Sequence, residues 1–485
     1  QKFVRFHTNR TIEVDALRQW GVLYVVCFVV AGLVYGPEVF YPTLGIDDYL
    51  YMLSGDGHTQ FEITRGIWMF SLVNKLLPGV IIAPVVSTVI FVAINVLSAV
   101  MLCIAWSRSS SPGAHAYLLA FIFTLFPYFG CQAAFNYYQI GYSISTLFSI
   151  LSVLLAVNAR FFWQRFACIA CFVMSIGFYQ GGLGVSATAF VAMALVDAVD
   201  LIANNKNIES FFLCVRKYFY ALLSMIAASI AYVVVHKFVL LALGIQDSGK
   251  QYSIAFDVFF WNRIEEVYAL LLGLITGYDN ILPFSSLLIF AVLFVALLLM
   301  GWINCLAKKM WPGLFLLPVL LVVVLISPGI ALFVCKLAVS ARSGVAYAIV
   351  WMVVSCAILR FGYKHANRVV AALLVIVVLS FSLKLDEMFL SQRITMQMDQ
   401  TMASLIYNRI TLLPDYKSKS VAFIGAHYFI ESAGHHRFNP EVLGCSSFEW
   451  DNGNPARIRA LFQTVGLGGI NFQSFVLSKE LPRVA

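Results

Sequence analysis

Two adjacent carboxylates, Asp47 and Asp48, follow the first apolar segment within a Gly-Ile-Asp-Asp-Tyr sequence. A Gly-Asp-Gly-His stretch comes next at 55–58, and Glu62 and Arg65 follow it. A carboxylate pair beside a membrane helix can supply a general base and a hydrogen-bonding neighbour. The pair can equally cap the helix that follows as two solvated charges, so the dipeptide alone leaves both interpretations open.

Basic side chains on the predicted outer side could bind an anionic group. The candidates are Arg65, Lys336 and Arg342. Arg342, within a Ser-Ala-Arg-Ser-Gly sequence, is favoured because a guanidinium group can hold two oxygens of an anion at once. The alternative role for Arg342 is an anchor at the membrane interface.

Aromatic and amide side chains occur side by side at Tyr138-Gln139 and at Tyr179-Gln180. A sugar is bound by stacking on rings and by hydrogen bonds, so these two pairs and Glu62 are candidates for substrate binding. An aromatic belt at the membrane interface is the alternative explanation of the tyrosines.

The composition is that of a membrane protein. Hydrophobic residues make up 61% of the 485 residues, charged residues make up 12%, and the mean hydropathy is +0.85. Soluble domains have about 25% charged residues. The net charge of +8 comes from Lys and Arg in short loops beside apolar runs. Membrane orientation explains that pattern, so we expect no nucleic-acid partner.

Long apolar runs predict an all-α polytopic membrane protein with about eleven transmembrane helices, because each crossing needs about 20 apolar residues. Lys and Arg concentrate in alternate loops, which places the N-terminus in the cytoplasm and the C-terminus outside. The long outer loops are 37–78 and 244–283, and the membrane domain is 1–385. The expected spans are 20–36, 79–105, 114–130, 141–158, 162–179, 181–202, 217–243, 284–305, 314–336, 344–360 and 368–385.

Residues 386–485 are expected to form a small α/β domain on the outer side. Met, Leu and Ile at helical spacing predict a helix over 386–410, and a compact apolar run predicts a buried strand over 420–425. Asn454 is placed to cap a helix that continues through Gln463.

Potential metal ligands occur in two groups: Cys168 and Cys171 lie inside an apolar helix, and His435, His436 and Cys445 lie in the tail. Neither group has further ligands at the spacing of a zinc site. We therefore expect no metal and no cofactor.

The sequence resembles the bacterial and phage glucosyltransferases that modify O-antigen, known as the glucosyltransferase II family. The resemblance rests on length, topology, the motif at 45–66 with its Ile-Asp-Asp element, and Tyr179-Gln180 after the fifth helix. In that family an Arg commonly follows Asp-Gly directly, whereas here His58 does and Arg65 comes later. The resemblance implies the fold of the C-type glycosyltransferases.

The resemblance also implies a reaction and a location. A glucosyl residue would pass from undecaprenyl-phosphate-glucose to O-antigen repeat units of lipopolysaccharide, on the periplasmic face of the bacterial inner membrane. Asp47 would be the general base of an inverting transfer, and Asp48 would support it or exchange roles with it. Arg342 would hold the departing phosphate, with Arg65 and Lys336 as the other candidates. The expected partners are the lipid-linked donor, the polysaccharide acceptor, membrane lipids, and the flippase and lipid-glucose synthase of the same pathway.

Two other functions fit part of the pattern. A lipid-linked sugar flippase or transporter would also have many helices, but it should show matching broken helices and charges at mid-membrane. Ser-Pro-Gly at 327–329 interrupts one predicted helix without a counterpart in the first half, and acidic residues concentrate in the first outer loop. These features favour an enzyme. A transferase for another polyprenyl-linked sugar is the other alternative.

The alternation of basic loops predicts the outcome of reporter fusions. A reporter that is active only in the periplasm should work after Lys384 or within Asp47–Arg65, and should stay silent after Lys217 or Lys309. The measurement is reporter activity in intact cells. A silent fusion in the tail would mean that the crossings are miscounted, most directly at 162–202.

Overall fold

The computed structural model describes residues 4–6, 10–12, 14–54, 56–76, 83–204, 208–246, 264–265, 268–269, 272, 281–330, 341–423, 426–429, 436, 438 and 443–472. These ranges are mostly helical. The helices are α1 (Val14–Val34), α2 (Gly36–Phe40), α3 (Ile46–Ser54), α4 (Asp56–Thr64), α5 (Trp68–Leu76), α6 (Pro84–Trp106), α7 (Ala114–Thr124), α8 (Pro127–Ala133), α9 (Gln139–Asn158), α10 (Phe162–Phe178), α11 (Gly182–Ala203), α12 (Ile208–Ala242), α13 (Phe284–Ala307), α14 (Trp311–Ile326), α15 (Tyr347–Arg360), α16 (Lys364–Thr411), α17 (Trp450–Gly453) and α18 (Pro455–Thr464).

The strands are few and short. They are β1 (Val4–Phe6), β2 (Arg10–Ile12), β3 (Ser420–Val421) and β4 (Asn471–Phe472). β1 pairs with β2 in antiparallel orientation, and β3 pairs with β4 in parallel orientation. Short 3-10 helices cover Ser327–Gly329, Ala341–Ala346 and Tyr416–Ser418.

The helices confirm the prediction of an all-α polytopic membrane protein. Within the described ranges, nine helices are long and apolar enough to cross a bilayer, or up to ten if a bent pair counts as one span. The bent pair is α7 and α8, which correspond to the predicted span 114–130. The predicted span 162–179 corresponds to α10, a shorter apolar helix of 17 residues.

The bend between α7 and α8 has a local cause. The two axes differ by 45°, and Pro127 begins the second helix. Proline has no backbone N–H to continue the preceding ladder, and it forces the residue before it out of the helical region. Phe126 accordingly has an extended backbone, with φ −62° and ψ 126°. The bend carries the chain from α7 into the turn that leads to α9.

The interior of the bundle is apolar, and α15 lies at its centre. The span that contains α15 (Arg342–Arg360) is 89% buried inside the protein, whereas the span of α12 (Glu209–Ala242) is 17% buried. A helix that is apolar on all sides but exposed in the folded chain has lipid as its solvent. α12 is therefore a peripheral helix, and α15 is the one around which others pack.

One end of the bundle, called the basic end below, is held by an ion network. Asp200 at the end of α11 pairs with both Arg108 and Arg360. Arg360 also donates to the backbone carbonyl of Trp106, the last residue of α6. A buried guanidinium is stable only when it is paired in this way. The network joins the ends of α6, α11 and α15.

α16 is a single helix of 48 residues where the sequence predicts two, a span at 368–385 and a helix over 386–410. No Gly or Pro interrupts the segment, so nothing breaks the backbone hydrogen-bond ladder. At 1.5 Å per residue a helix of this length extends about 70 Å, well beyond the hydrocarbon thickness. The boundary predicted at residue 385 falls inside this continuous helix.

The chain after α16 returns to the end of the bundle opposite the basic end, called the loop end below, where α2–α5 also lie. The side chain of Asn454 accepts the N–H of Ala456 at 2.9 Å, so the predicted cap is confirmed for α18. The predicted strand at 420–425 is shorter, because β3 covers only Ser420–Val421. Residues 424–425 and most of the second predicted loop, 244–283, lie outside the described residues.

Candidate active site

Asp48 fastens the first loop to the helical bundle. It is the third residue of α3, and its Oδ2 accepts the N–H of Gly45 at 2.8 Å, as an acidic side chain does at a helix start. The same oxygen accepts the backbone and side-chain N–H groups of Asn136, each at 3.2 Å. Oδ1 accepts the backbone N–H of Tyr137 at 3.0 Å. Both carboxylate oxygens are therefore used to hold α3 against the turn between α8 and α9.

Gly45 is required by this close approach. A Cβ added there would lie 2.5 Å from the carbonyl oxygen of Ala134, closer than any real contact. The Asp48 side chain is 3% exposed, and burial raises the pKa of its carboxyl to about 6, although the hydrogen bonds that it accepts oppose the shift. At neutral pH the group is a buried, ionised carboxylate with a fixed position.

Asp47 lies one residue earlier on α3 but has another environment. Its side chain is 23% exposed, and its Oδ1 is paired with the guanidinium Nη1 of Arg457 on α18. The sequence gives no signal for this contact, because the two residues are 410 positions apart. Asp47 is thus the accessible member of the Asp-Asp pair, and Asp48 is the structural one.

Glu62 is a third carboxyl in the same loop. It is fully buried on α4, where the hydroxyl of Tyr138 donates a hydrogen bond to its Oε1. The other oxygen, Oε2, is buried and has no hydrogen-bond partner among the described residues. Burial raises the pKa of Glu62 to about 7; the hydrogen bond from Tyr138 and the charge of Arg65 lower it, and the charge of Asp47 raises it. Glu62 and Asp47 are therefore electrostatic neighbours.

Tyrosine rings surround these carboxyls. The hydroxyls of Tyr51 and Tyr138 are 2.6 Å apart, and Tyr51 is stacked on Tyr137 with ring centroids 4.1 Å apart. Because Tyr138 gives its proton to Glu62, Tyr51 is the donor in the Tyr51–Tyr138 bond. The result is an aromatic wall around a buried carboxyl oxygen, Oε2 of Glu62, that has no hydrogen-bond partner among the described residues.

The aromatic wall continues toward Arg342. The ring of Tyr142 lies 5.6 Å from that of Tyr138 and 4.5 Å from that of Tyr179, centroid to centroid. The hydroxyls of Tyr179 and Ser343 are 2.9 Å apart. Ser343 follows Arg342 in the sequence, so tyrosine contacts connect the Glu62 carboxyl to the segment that carries Arg342.

The Arg342 guanidinium lies over the ring of Phe135, 4.4 Å from its centroid, and the Arg342 carbonyl accepts a bond from the Gln132 side chain at 2.9 Å. Cation–π contact of this kind fixes the position of a guanidinium group. Lys336, the other cation predicted on this side, lies outside the described residues.

Arg65 and Gln180 meet in the structure. The Gln180 side chain donates to the carbonyl of Arg65, and the hydroxyl of Tyr232 donates to the carbonyl of Gly66 at 3.1 Å. Gly66 has φ +82°, which favours glycine, and a Cβ there would lie 2.4 Å from the Tyr232 hydroxyl. The Arg65 guanidinium lies over the ring of Phe61. Gln180 therefore holds the end of α4 in place.

Gln139, the remaining predicted residue, has its amide group engaged within the protein. Its oxygen accepts from Thr88 at 3.1 Å, and its nitrogen donates to the carbonyl of Ala133 and to the side chain of Asn136. Gln139 therefore stabilises the α8–α9 turn, which carries the residues that donate to Asp48.

Glu38 is a buried acid that sequence reasoning missed. Its two oxygens accept the backbone N–H of Thr43 at 3.1 Å and the Thr43 hydroxyl at 2.9 Å and 3.1 Å. Burial raises the pKa of Glu38 to about 7. Its bonds are local, so it shapes the entry to α3. Among the described residues, no three His, Cys, Asp or Glu side chains form a group that could hold a metal ion.

Comparison with known proteins assigns this arrangement to a family. The sequence profile described as glucosyl transferase GtrII matches residues 36–355, which is more than half of the chain. The chain belongs to the glucosyl transferase GtrII family. No curated protein matches it, and no solved structure matches it.

Membership in the GtrII family confirms the resemblance to the O-antigen glucosyltransferases and makes the chain an enzyme that transfers a glycosyl group. The matched range includes α3, α4, the α8–α9 turn and Arg342, and thus nearly all of the arrangement described above. Arg457 lies outside that range.

The role of Asp48 as a structural anchor predicts the behaviour of its variants. Asp48→Asn should lower the stability of the purified protein by about 1–3 kcal/mol, because an amide cannot accept all of the N–H groups that point at it. The measurement is the melting temperature in detergent, and activity should fall in parallel. Asp386→Asn, at an exposed position on α16, is the control and should melt like the wild type. An inactive Asp48→Asn protein with unchanged melting would instead make Asp48 a chemical participant.

Proposed function

We propose that this GtrII-family enzyme transfers a glucosyl residue, with inversion, from undecaprenyl-phosphate-glucose to O-antigen repeat units on the periplasmic face of the inner membrane. The observation that carries the proposal is that two unlike carboxyls, Asp47 and Glu62, lie in the same loop, where Glu62 is hydrogen-bonded to the aromatic wall through Tyr138. One carboxyl is accessible and the other is buried with an unpartnered oxygen. A sugar transfer needs both a base and a group that binds sugar hydroxyls.

Asp47 is the general base in this proposal. The acceptor hydroxyl attacks C1 of the donor glucose and its proton passes to the Asp47 carboxylate, while the bond from C1 to the phosphate oxygen breaks and the lipid phosphate leaves with the electron pair. Asp48 supports the base by fixing the start of α3. Its oxygens are occupied by N–H donors, and this makes Asp47 the better candidate of the pair.

The leaving phosphate needs a compensating positive charge and no strong acid, because it is already a stable anion. Arg342 is the first candidate, since its segment is joined to the aromatic wall through the contact between Tyr179 and Ser343. Arg65 and Lys336 are the other candidates. A planar guanidinium can hold two phosphate oxygens and so keep the donor aligned during the transfer.

Glu62 binds the sugar in this proposal. Its Oε2, which has no hydrogen-bond partner among the described residues, can accept a glucosyl hydroxyl, and Tyr138 and Tyr179 belong to the aromatic wall beside it. A buried acceptor without a partner costs free energy, which a substrate hydroxyl recovers on binding. Recognition by a buried acceptor also discriminates against sugars that lack the hydroxyl.

The proposed location combines the donor with the distribution of charge. A polyprenyl tail stays in the hydrocarbon and keeps its phosphate near the headgroups, and the basic end, with Arg108 and Arg360, fits the cytoplasmic side by the positive-inside rule. The loop end then faces the periplasm, with the N-terminus in the cytoplasm and residues 386–485 outside. The flippase and the lipid-glucose synthase of the same pathway would deliver the donor to that face.

The direct test is expression in an O-antigen-bearing strain that supplies the lipid-linked donor. The polysaccharide is compared by mass and linkage analysis for the wild type, Asp47→Asn and the control Asp386→Asn. Asp47→Asn should still accumulate in the membrane, but it should lose about a hundredfold to ten-thousandfold in transfer, the usual contribution of a general base. Near-normal glucosylation by Asp47→Asn would exclude Asp47 as the base, and an unmodified polysaccharide from the wild type would exclude this donor and acceptor.

The raised pKa of Glu62 gives the enzyme a pH dependence. The carboxyl is protonated below about pH 7 and ionised above it, and the ionised form is the better acceptor for a sugar hydroxyl. The KM for the lipid-linked donor should therefore fall as the pH rises from about 6 to about 8, one unit on each side of that value. Glu62→Gln should have a higher KM without this pH dependence. A KM that rises with pH in the wild type would mean that the protonated carboxyl binds the sugar as a donor.

A further inference from the structure

The C-terminal segment after α16 is docked on the loop that carries Asp47. α18 packs against α3, and the shared apolar cluster consists of Tyr49, Ala403, Phe448, Ile458, Ala460, Leu461, Phe462 and Ile470. Members of this cluster come from α3, from the far half of α16 and from the chain between residues 443 and 472. Burial of apolar side chains from three segments fixes their relative positions.

Polar contacts fasten the same segment to α16. The carboxylate of Asp399 accepts the backbone N–H of Ser447 at 2.8 Å and the hydroxyl of Ser446. The side chain of Gln392 accepts the N–H of Gly444 at 2.9 Å and donates to the carbonyl of Leu44 at 3.2 Å. Gln392 therefore touches both the tail and the residue just before the Gly45 turn, and it links the docking of the tail to the start of α3.

This docking brings Arg457 onto Asp47. The Arg457 side chain is 13% exposed, and its Nη1 is paired with Oδ1 of Asp47. An ion pair with both members mostly buried is screened little by water, so it can hold a carboxylate in one orientation. The other Asp47 oxygen, Oδ2, has no partner within the part of the chain that the structure describes, and it remains available for a proton.

We propose that Arg457 is a positioning residue of the transferase and that the active site is completed by the C-terminal segment. This inference rests on the proposed function, because it assigns Arg457 to the orientation of the proposed base. By holding Oδ1, Arg457 fixes the orientation of the carboxylate and presents Oδ2 to the acceptor hydroxyl. The chemistry of the glucosyl transfer is unchanged; the proton goes to Asp47.

The consequence is that a residue beyond the matched range 36–355 controls a residue within it. The base would be aligned only while α18 is docked on α3. An enzyme whose C-terminal segment is displaced should still bind the donor at the aromatic wall, but it should transfer the glucosyl residue slowly.

The test compares five purified full-length variants with the wild type: Asp47→Ala, Arg457→Ala, Arg457→Lys, Arg459→Ala and the double variant Asp47→Ala/Arg457→Ala. Arg459 is an exposed arginine two residues along the same helix and is the matched control. Both kcat and KM are measured with the lipid-linked glucosyl donor and the acceptor present.

Arg457→Ala should lower kcat by about a hundredfold with little change in KM, because misalignment of a reacting group has an effect of that size. Arg457→Lys should recover part of the loss, since it restores the charge without the planar fork. Arg459→Ala should stay within about twofold of the wild type. Millimolar guanidinium ion should partly restore Arg457→Ala, and it should have no effect on Asp47→Ala. A structural role alone would not produce this rescue.

The double variant decides whether Arg457 acts through Asp47. If it does, Asp47→Ala/Arg457→Ala should be no slower than Asp47→Ala alone, because the effect of losing Arg457 is already contained in that variant. Additive losses, or an Arg457→Ala enzyme with a raised KM and normal kcat, would overturn the positioning role.

A thermal cycle separates this inference from the proposed function. Melting temperatures of Asp47→Ala, Arg457→Ala and the double variant should be non-additive if the two side chains are paired, whatever the enzyme transfers. A wild-type enzyme that fails to use the glucosyl donor would refute the proposed function, and the positioning role with it, while the thermal cycle would still report the pair. Additive melting shifts would refute the pair itself.

Discussion

The arrangement of the loop end depends on a buried carboxylate that cannot be left without hydrogen bonds. Asp48 is nearly fully buried, and removing an ionised group from water is costly unless donors replace the water. The donors are backbone N–H groups on both sides, from Gly45 in its own loop and from Asn136 and Tyr137 in the α8–α9 turn. Because those donors belong to segments far apart in the chain, satisfying one side chain joins the first loop to the bundle. The tyrosines and Glu62 are then brought to the same place.

Adjacent residues on one helix acquire opposite roles from this constraint. Consecutive positions on a helix point about 100° apart, so when Asp48 is directed into the α8–α9 turn, Asp47 is directed away from it, toward α18. Both oxygens of the Asp48 carboxylate are hydrogen-bonded within the protein, whereas the Asp47 carboxylate remains partly exposed. Two acids with the same intrinsic chemistry thus differ in what they can do. Glu62 differs from both, because it is buried and one of its oxygens has no hydrogen-bond partner among the described residues.

The long helix α16 connects the helical bundle to the C-terminal segment. Its first half packs in the bundle, and its second half carries Gln392 and Asp399, which hold the chain at 444–447. A continuous helix transmits position well, because its backbone hydrogen bonds leave no flexible joint. The tail is therefore held in register with the bundle through one rigid element, and α18 reaches α3 without a linker between two independent bodies.

The apolar runs of membrane length are enough to predict a polytopic helical membrane protein, because in lipid a single continuous apolar segment satisfies its backbone hydrogen bonds only as a helix. Chain length, topology, the motif at 45–66 and Tyr179-Gln180 indicated the resemblance to the family, which the profile match confirms, and the first loop singled out Asp47, Asp48 and Glu62. The packing of the helices shows which of these acids is anchored, which is accessible, and which is buried with one carboxyl oxygen that has no partner among the described residues. It alone revealed Arg457 and the bond between Tyr138 and Glu62, since ion pairs and hydrogen bonds depend on distances of a few ångströms between residues that the chain separates by 410 and 76 positions. Local periodicity predicts helices from neighbouring residues; it has no information about which distant side chains the packing of those helices brings into contact.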